Sequence, residues 1–111
     1  MRSASVGVQP IMEGTMAGIE ALIPYKPAIL TIAQLYGASN IRVFGSFARG
    51  EANPHSDLDL LVDMASDRSL LDTVALVQDL QESLGRRVDV VTERALHGLL
   101  RDRILSEALP L

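Results

Sequence analysis

The chain has 111 residues, 48% of them hydrophobic, and a formal charge of −4. That suits one globular domain with a modest core and leaves no room for a catalytic domain beside a separate substrate domain. The acidic balance argues against a protein held on nucleic-acid phosphates, which needs a surplus of Lys and Arg, and the few aromatics (Tyr25, Tyr36, Phe44, Phe47) make no base-stacking platform. The absence of cysteine excludes disulfides and thiolate chemistry. No run reaches the roughly 18 apolar residues of a membrane span, and nothing after Arg2 reads as a signal peptide, so the cytoplasm is the expected compartment.

Residues 1–16 have no period and include Gly7, Pro10 and Gly14, so they read as an N-terminal extension to a domain over 17–111. A short apolar piece, Ala17 to Ile23, stops at Pro24. A helix is expected to open at Pro27, where a missing N–H is harmless. Ile29, Ile32, Ala33 and Tyr36 form its apolar stripe, and Gly37 caps it. Ile41 to Phe44 predicts a strand that Gly45 and Ser46 end. Phe47 to Ser56 predicts a loop with room for one helical turn, and Asn53-Pro54 marks a bend in it.

Leu58 to Asp63 predicts the second strand. Ser69 with Asp72 makes a capping box opening a core helix faced by Leu70, Val74, Val77, Leu80 and Leu84 and closed by Gly85. Arg86 and Arg87 lead into a third strand, Val88 to Thr92. A last helix is expected over Ala95 to Leu109, with Leu96, Leu99, Leu100, Ile104 and Ala108 at helical spacing and Arg94, Arg101 and Arg103 as a solvated face. The order helix, strand, strand, helix, strand, helix predicts an α/β (α+β) fold, a small mixed sheet of about three strands flanked by helices.

Two acids sit where the second strand should be apolar. Strand side chains alternate between faces, so Asp57 and Asp59 point one way, about 7 Å apart along the backbone, while Leu58, Leu60 and Val62 point the other way. Two carboxylates on one face repel, and water, a cation or a donor network must offset their charge. A frayed, solvated strand start satisfies that requirement, and so does a divalent metal. Asp89 is a third acid within a β-type run; alone, it reads as an exposed edge residue.

Ten residues before the D-x-D stands Gly45-Ser46. A glycine at a strand end lets an anion approach backbone N–H groups with no Cβ in the way, and the serine adds a hydroxyl donor. Four fixed residues at this spacing match by chance on the order of once in 10⁵ starting points. Arg49 follows, suited either to phosphate oxygens or to an ion pair with Glu51. His55, a loop histidine without a partner histidine, stays outside the candidate site.

With this G-S, ten residues, D-x-D pattern and a later strand acid, the sequence resembles the minimal nucleotidyltransferases of the DNA polymerase β-like superfamily, specifically the MNT antitoxins paired with HEPN-domain toxins. The resemblance implies a nucleotidyltransferase fold, Mg²⁺ on Asp57, Asp59 and Asp89, and nucleotide phosphates on Gly45 and Ser46. Magnesium takes hard oxygen ligands and completes its shell with phosphates and water, and three acids on neighbouring strands suit two ions about 4 Å apart. The implied reaction is attack of a hydroxyl on the α-phosphorus of ATP with Asp89 as base, the acceptor being a tyrosine of the HEPN toxin. Two other readings stay open, an antitoxin that neutralises by binding alone and a nucleotidyltransferase of a small molecule such as an aminoglycoside. No membrane partner and no direct nucleic-acid binding are expected.

Overall fold

A computed structural model describes residues 17–111, so the N-terminal extension over 1–16 lies outside the described residues. The chain runs through a 3-10 turn (Ile19–Tyr25), α1 (Lys26–Leu35), β1 (Ala38–Phe44), α2 (Ser46–Arg49), β2 (Leu58–Met64), α3 (Leu70–Leu84) and β3 (Val88–Thr92). A second 3-10 turn (Glu93–Ala95), α4 (Gly98–Glu107) and β4 (Leu109–Pro110) complete it. The sheet order is β3-β2-β1-β4, with β2 and β3 parallel and the other two pairings antiparallel. It is the expected mixed sheet flanked by helices, with four strands in place of about three.

Local chemistry accounts for most of the boundaries. Pro27 lies in the first turn of α1, and Gly37, at φ +80°, turns the chain directly into β1. β1 starts three residues earlier than its apolar run suggests, because Asn40, at φ +51°, and an irregularity between Ser39 and Arg42 interrupt the alternation. The α3 capping box forms: Ser69 Oγ accepts the Leu71 N–H at 3.2 Å and the Asp72 carboxylate accepts the Ser69 N–H at 2.9 Å. The first 3-10 turn includes Pro24, so the apolar piece does not stop there.

The sheet has a deep face and a shallow one. Leu58, Leu60 and Val62 of β2 join Val43, Phe47 and the helices α1 and α3 in the main core. Leu61 points the opposite way, to a small cluster with Leu96 and Ile104 beneath α4. That thinner layer is held by ions as well. Arg42, largely buried, pairs with Asp63 at 3.1 Å and Glu93 at 2.9 Å, and Glu93 pairs with Arg101 of α4 at 3.2 Å.

Two helix faces differ from expectation. α3 buries Leu76, Leu80 and Leu84, whereas Leu70 is 76% and Val74 45% exposed. The helix is apolar at so many positions that periodicity supports more than one stripe, and contact with the sheet selects one of them. α4 begins at Gly98 after the 3-10 turn, and among its residues Leu99 is 86% and Leu100 56% exposed while Ile104 is buried. Leu76→Ala is expected to cost about 2–5 kcal/mol of stability through the cavity it leaves, and Leu70→Ala under about 0.5 kcal/mol; urea unfolding of the two variants separates the faces.

Candidate active site

β1 delivers the site's first element. Phe44 is the register partner of Asp59 across the antiparallel β1–β2 pair, and the next residue, Gly45, adopts φ +76° and ψ −151°, a conformation essentially confined to glycine. A Cβ built there would lie 2.1 Å from Asp59 Oδ2. Glycine is therefore required twice, once for its dihedral and once for the space. Its turn opens α2, the single helical turn expected in this loop, which carries Ser46 and Arg49.

The loop between α2 and β2 is bolted down ahead of the acids. Asn53 Oδ1 accepts the His55 N–H at 2.8 Å, and Ser56 Oγ accepts the Asn53 N–H at 2.9 Å, a self-contained Asx-type turn. The buried Arg86 donates through Nη1 to the carbonyls of Asn53 and Ser56, and its guanidinium stands 5.6 Å from the Phe47 ring centroid. The Leu58 N–H then bonds the Arg87 carbonyl at 2.9 Å, starting the β2–β3 ladder.

That ladder sets Asp59 opposite Asp89, register partners in the parallel pair about 4.8 Å apart across the strands. Asp57 precedes β2 by one residue and is exposed, with Arg87 Nε 3.9 Å from its Oδ1. Asp59 is half-buried. Burial, then the negative charges of Asp89 and Asp57, push its carboxyl up to about 6, against a smaller opposing effect of Arg49.

Gly45, Ser46, Arg49, Asp57 and Asp59 line one open cleft of about 400 Å³, together with Ser56 and, from α4, Leu100, Arg103, Ile104 and Glu107. Asp89 is exposed one strand away and is not part of that lining. His55 is exposed and also outside it. Arg49 makes the expected ion pair, Nε to Glu51 at 3.0 Å, and Nη1 reaches a second acid, Glu107, at 3.1 Å. Sequence reasoning missed Glu107, whose carboxylate also accepts the Gly45 N–H at 2.7 Å. An acid in the last turn of a helix, at the negative end of its dipole, was the available signal.

The donors in the cleft are hard oxygens, with neither imidazole nor thiol, which suits a magnesium-class ion better than zinc. The missing Cβ of Gly45 makes room for the Asp59 carboxylate among these donors. Among the described residues no group of three His, Cys, Asp or Glu side chains is gathered tightly enough to hold an ion. Asp59 and Asp89 are strand neighbours, and Asp57 stands two residues before Asp59, just ahead of the same strand. A cleft of about 440 Å³ at the other end of β2 contains Asp63, Ser69 and Glu93. Those three side chains bond Arg42, the α3 cap and Arg101 respectively.

Two tests follow from this geometry. Gly45→Ala is expected to lower thermal stability by more than Gly50→Ala does: both residues have φ +76°, but a Cβ at Gly50 meets nothing within 4 Å. At Gly50, with ψ 25° in the left-handed helical region, the dihedral strain costs about 1–2 kcal/mol; Gly45, with ψ −151°, adds a less accessible dihedral and the clash with Asp59, so the excess in melting experiments measures those two together. The carboxyl of Asp59 rises on folding from 3.8 to about 6, so the folded state binds the extra proton between those values, and stability is highest below the lower one and falls as pH rises through about 6. Asp59→Asn should therefore stabilise the protein at pH 7.5 by about 1 kcal/mol after discounting for partial exposure and leave it unchanged near pH 3, as read by melts in a chelator.

With the geometry in view, the family model for the nucleotidyltransferase domain matches residues 28–111. The chain is 45% identical over 84 residues to the "Putative protein adenylyltransferase MJ0435" of Methanocaldococcus jannaschii, covering 76% of this chain and 90% of that protein. It is 38% identical over 78 residues to the protein adenylyltransferase MntA of Thermococcus cleftensis, covering 70% of this chain and 79% of that one. A solved structure described as a "putative minimal nucleotidyltransferase" superposes with a TM-score of 0.74 at 47% identity, covering 88% of this chain and 100% of that one. A chain from the toxin–antitoxin complex MntA–HpeT superposes with a TM-score of 0.64 at 25% identity, covering 78% of this chain and 70% of that one. The strand pairing that sets Asp59 against Asp89 is thus built on a shared scaffold, and the chain belongs to the nucleotidyltransferase domain family, in its minimal, MntA-like branch.

Proposed function

We propose that the chain is the antitoxin of a two-component pair and a Mg²⁺-dependent protein adenylyltransferase, transferring AMP from ATP to a tyrosine hydroxyl of a HEPN ribonuclease toxin. The observation that carries the reading is the Asp59–Asp89 register beside the Cβ-free turn at Gly45. The relatives' names as protein adenylyltransferases, and the toxin–antitoxin complex that shares the fold, support it.

In this reading the Gly45-Ser46 turn and Arg49 hold the phosphate oxygens, and the floor of the cleft excludes water behind them. Asp57, Asp59 and Asp89 would hold the metal, which when bound neutralises charge on the triphosphate and lowers the pKa of the attacking hydroxyl. The acceptor oxygen forms a bond to the α-phosphorus in line with the departing pyrophosphate. Its proton passes to the Asp89 carboxylate, which is exposed and so accessible to a macromolecular acceptor. Positioning and electrostatics supply most of the acceleration in such transfers. The cleft is open rather than enclosed, which suits an acceptor presented by a second protein.

A second reading, neutralisation by binding alone, is favoured by one observation, the carboxylate of Glu107 seated on the Gly45 N–H. Incubation with ATP labelled at the α-phosphate, magnesium and the toxin encoded next to this gene separates the two. Label is expected on the toxin, and Asp57→Asn with Asp59→Asn is expected to cut its rate at least a hundredfold, the usual scale for removing a charge-stabilising group. Absence of label, or label that survives the double substitution, rejects the enzymatic reading.

A further inference from the structure

Glu107 stands where an anion should. Its Oε2 accepts the Gly45 N–H at 2.7 Å, and the two carboxylate oxygens lie 3.1 and 3.3 Å from Arg49 Nη1. These are the backbone donor and the cation assigned above to nucleotide phosphate, so the inference rests on that reading. The side chain is 22% exposed and enters the cleft from α4, across from Asp57 and Asp59.

Helix stability does not explain it. Glu107 is the last residue of α4, where unpaired carbonyls give the helix a negative end and a carboxylate is disfavoured. Nor does the need to neutralise Arg49, since Glu51 already pairs with its Nε at 3.0 Å. What the contact does satisfy is the N–H of Gly45, a buried backbone donor at the end of β1 that would otherwise face the cleft.

We infer that Glu107 is an intramolecular stand-in for phosphate that raises the cost of entry: it occupies the Gly45 N–H and Arg49, and a ligand enters only if its phosphates displace it. A triphosphate brings several oxygens to the N–H groups and to Arg49 at once. A single phosphate must give up the same contact and the same repulsion from the displaced carboxylate for fewer bonds of its own. Glu107 therefore lowers the affinity for both by a similar factor, and the monophosphate, with fewer bonds to offset that cost, is the one left too weakly held to fill the site.

The test is nucleotide binding by calorimetry on the full chain, with ATP, AMP and inorganic triphosphate as probes, in magnesium and in chelator. Glu107→Gln removes the charge, and Glu107→Asp keeps it on a side chain one methylene shorter; thermal melts confirm that each is folded. Both variants are expected to bind inorganic triphosphate on the order of tenfold tighter than the parent, the scale of one charge-assisted hydrogen bond, and to gain by a similar factor for AMP and ATP. Arg49→Ala in either background should reverse the gain. If neither Glu107 variant binds tighter while Arg49→Ala still weakens ATP, Glu107 is no competitor and the cradle assignment stands. If Arg49→Ala and Ser46→Ala leave ATP binding unchanged, the cradle itself is misassigned and the inference falls with it.

Discussion

The approach of the Gly45 backbone to Asp59 is the constraint on which the site depends. β1 and β2 are antiparallel with Phe44 opposite Asp59, so the residue after Phe44 must pass over that carboxylate, and only a residue without a Cβ fits. The same turn aims its N–H into the cleft and launches α2 with Ser46 and Arg49. The cost is a half-buried acid whose carboxyl is pushed up to about 6. On the opposite face of β2, Leu58, Leu60 and Val62 are fully buried, and at about 1.5–3 kcal/mol each they outweigh the expense of one strained carboxylate. The strand carries a charged face because its other face is so thoroughly apolar.

The two sides of the sheet serve different ends. The main core, with α1, α3 and Phe47, fixes the strands. The second cluster is small, and α4 lies over it with the help of the Arg42–Glu93–Arg101 ion chain. This shallow side is where the acids point. A thicker layer there would cover Asp59 and close the cleft; a thinner one would leave Glu107 and Arg103 with nothing to place them. Arg86 performs the corresponding task from the main core, holding the Asn53–Ser56 carbonyls and so the approach to Asp57.

What was legible in the sequence follows from the range over which each signal acts. The α3 cap depends on Ser69 and Asp72 alone, and the Gly37 and Gly85 stops on their own dihedrals, so pattern reading found them. The G-S and D-x-D elements were recognisable because each is local, and the strand alternation correctly put Leu58, Leu60 and Val62 opposite Asp59. Other features depend on distant partners. The stripe of α3 is chosen by the sheet rather than by its own periodicity, which is why Leu70 and Val74 were read as core. β4 is two residues long and exists only because β1 offers an edge. Glu107 is more than sixty residues from Gly45 in sequence, and no local rule pairs them. Arg86, read as the lead into a strand, gains its meaning from carbonyls thirty residues away.

The short strand β4 also bears on rates. Leu109 and Pro110 pair with Val43 and Arg42, and the Leu111 N–H bonds the Ile41 carbonyl at 3.0 Å, so the backbone just beyond Glu107 is stitched to the sheet. Ile104, one turn earlier, is anchored in the cluster beneath α4. With its main chain pinned on both sides, Glu107 would, on the proposed reading, clear the cradle by rotation about its own side-chain bonds rather than by movement of a helix. Such rotamer changes take picoseconds to nanoseconds in exposed side chains, whereas collective helix movements take microseconds or longer. The carboxylate would thus behave as a fast equilibrium ahead of nucleotide binding, altering apparent affinity without adding a slow step to the cycle.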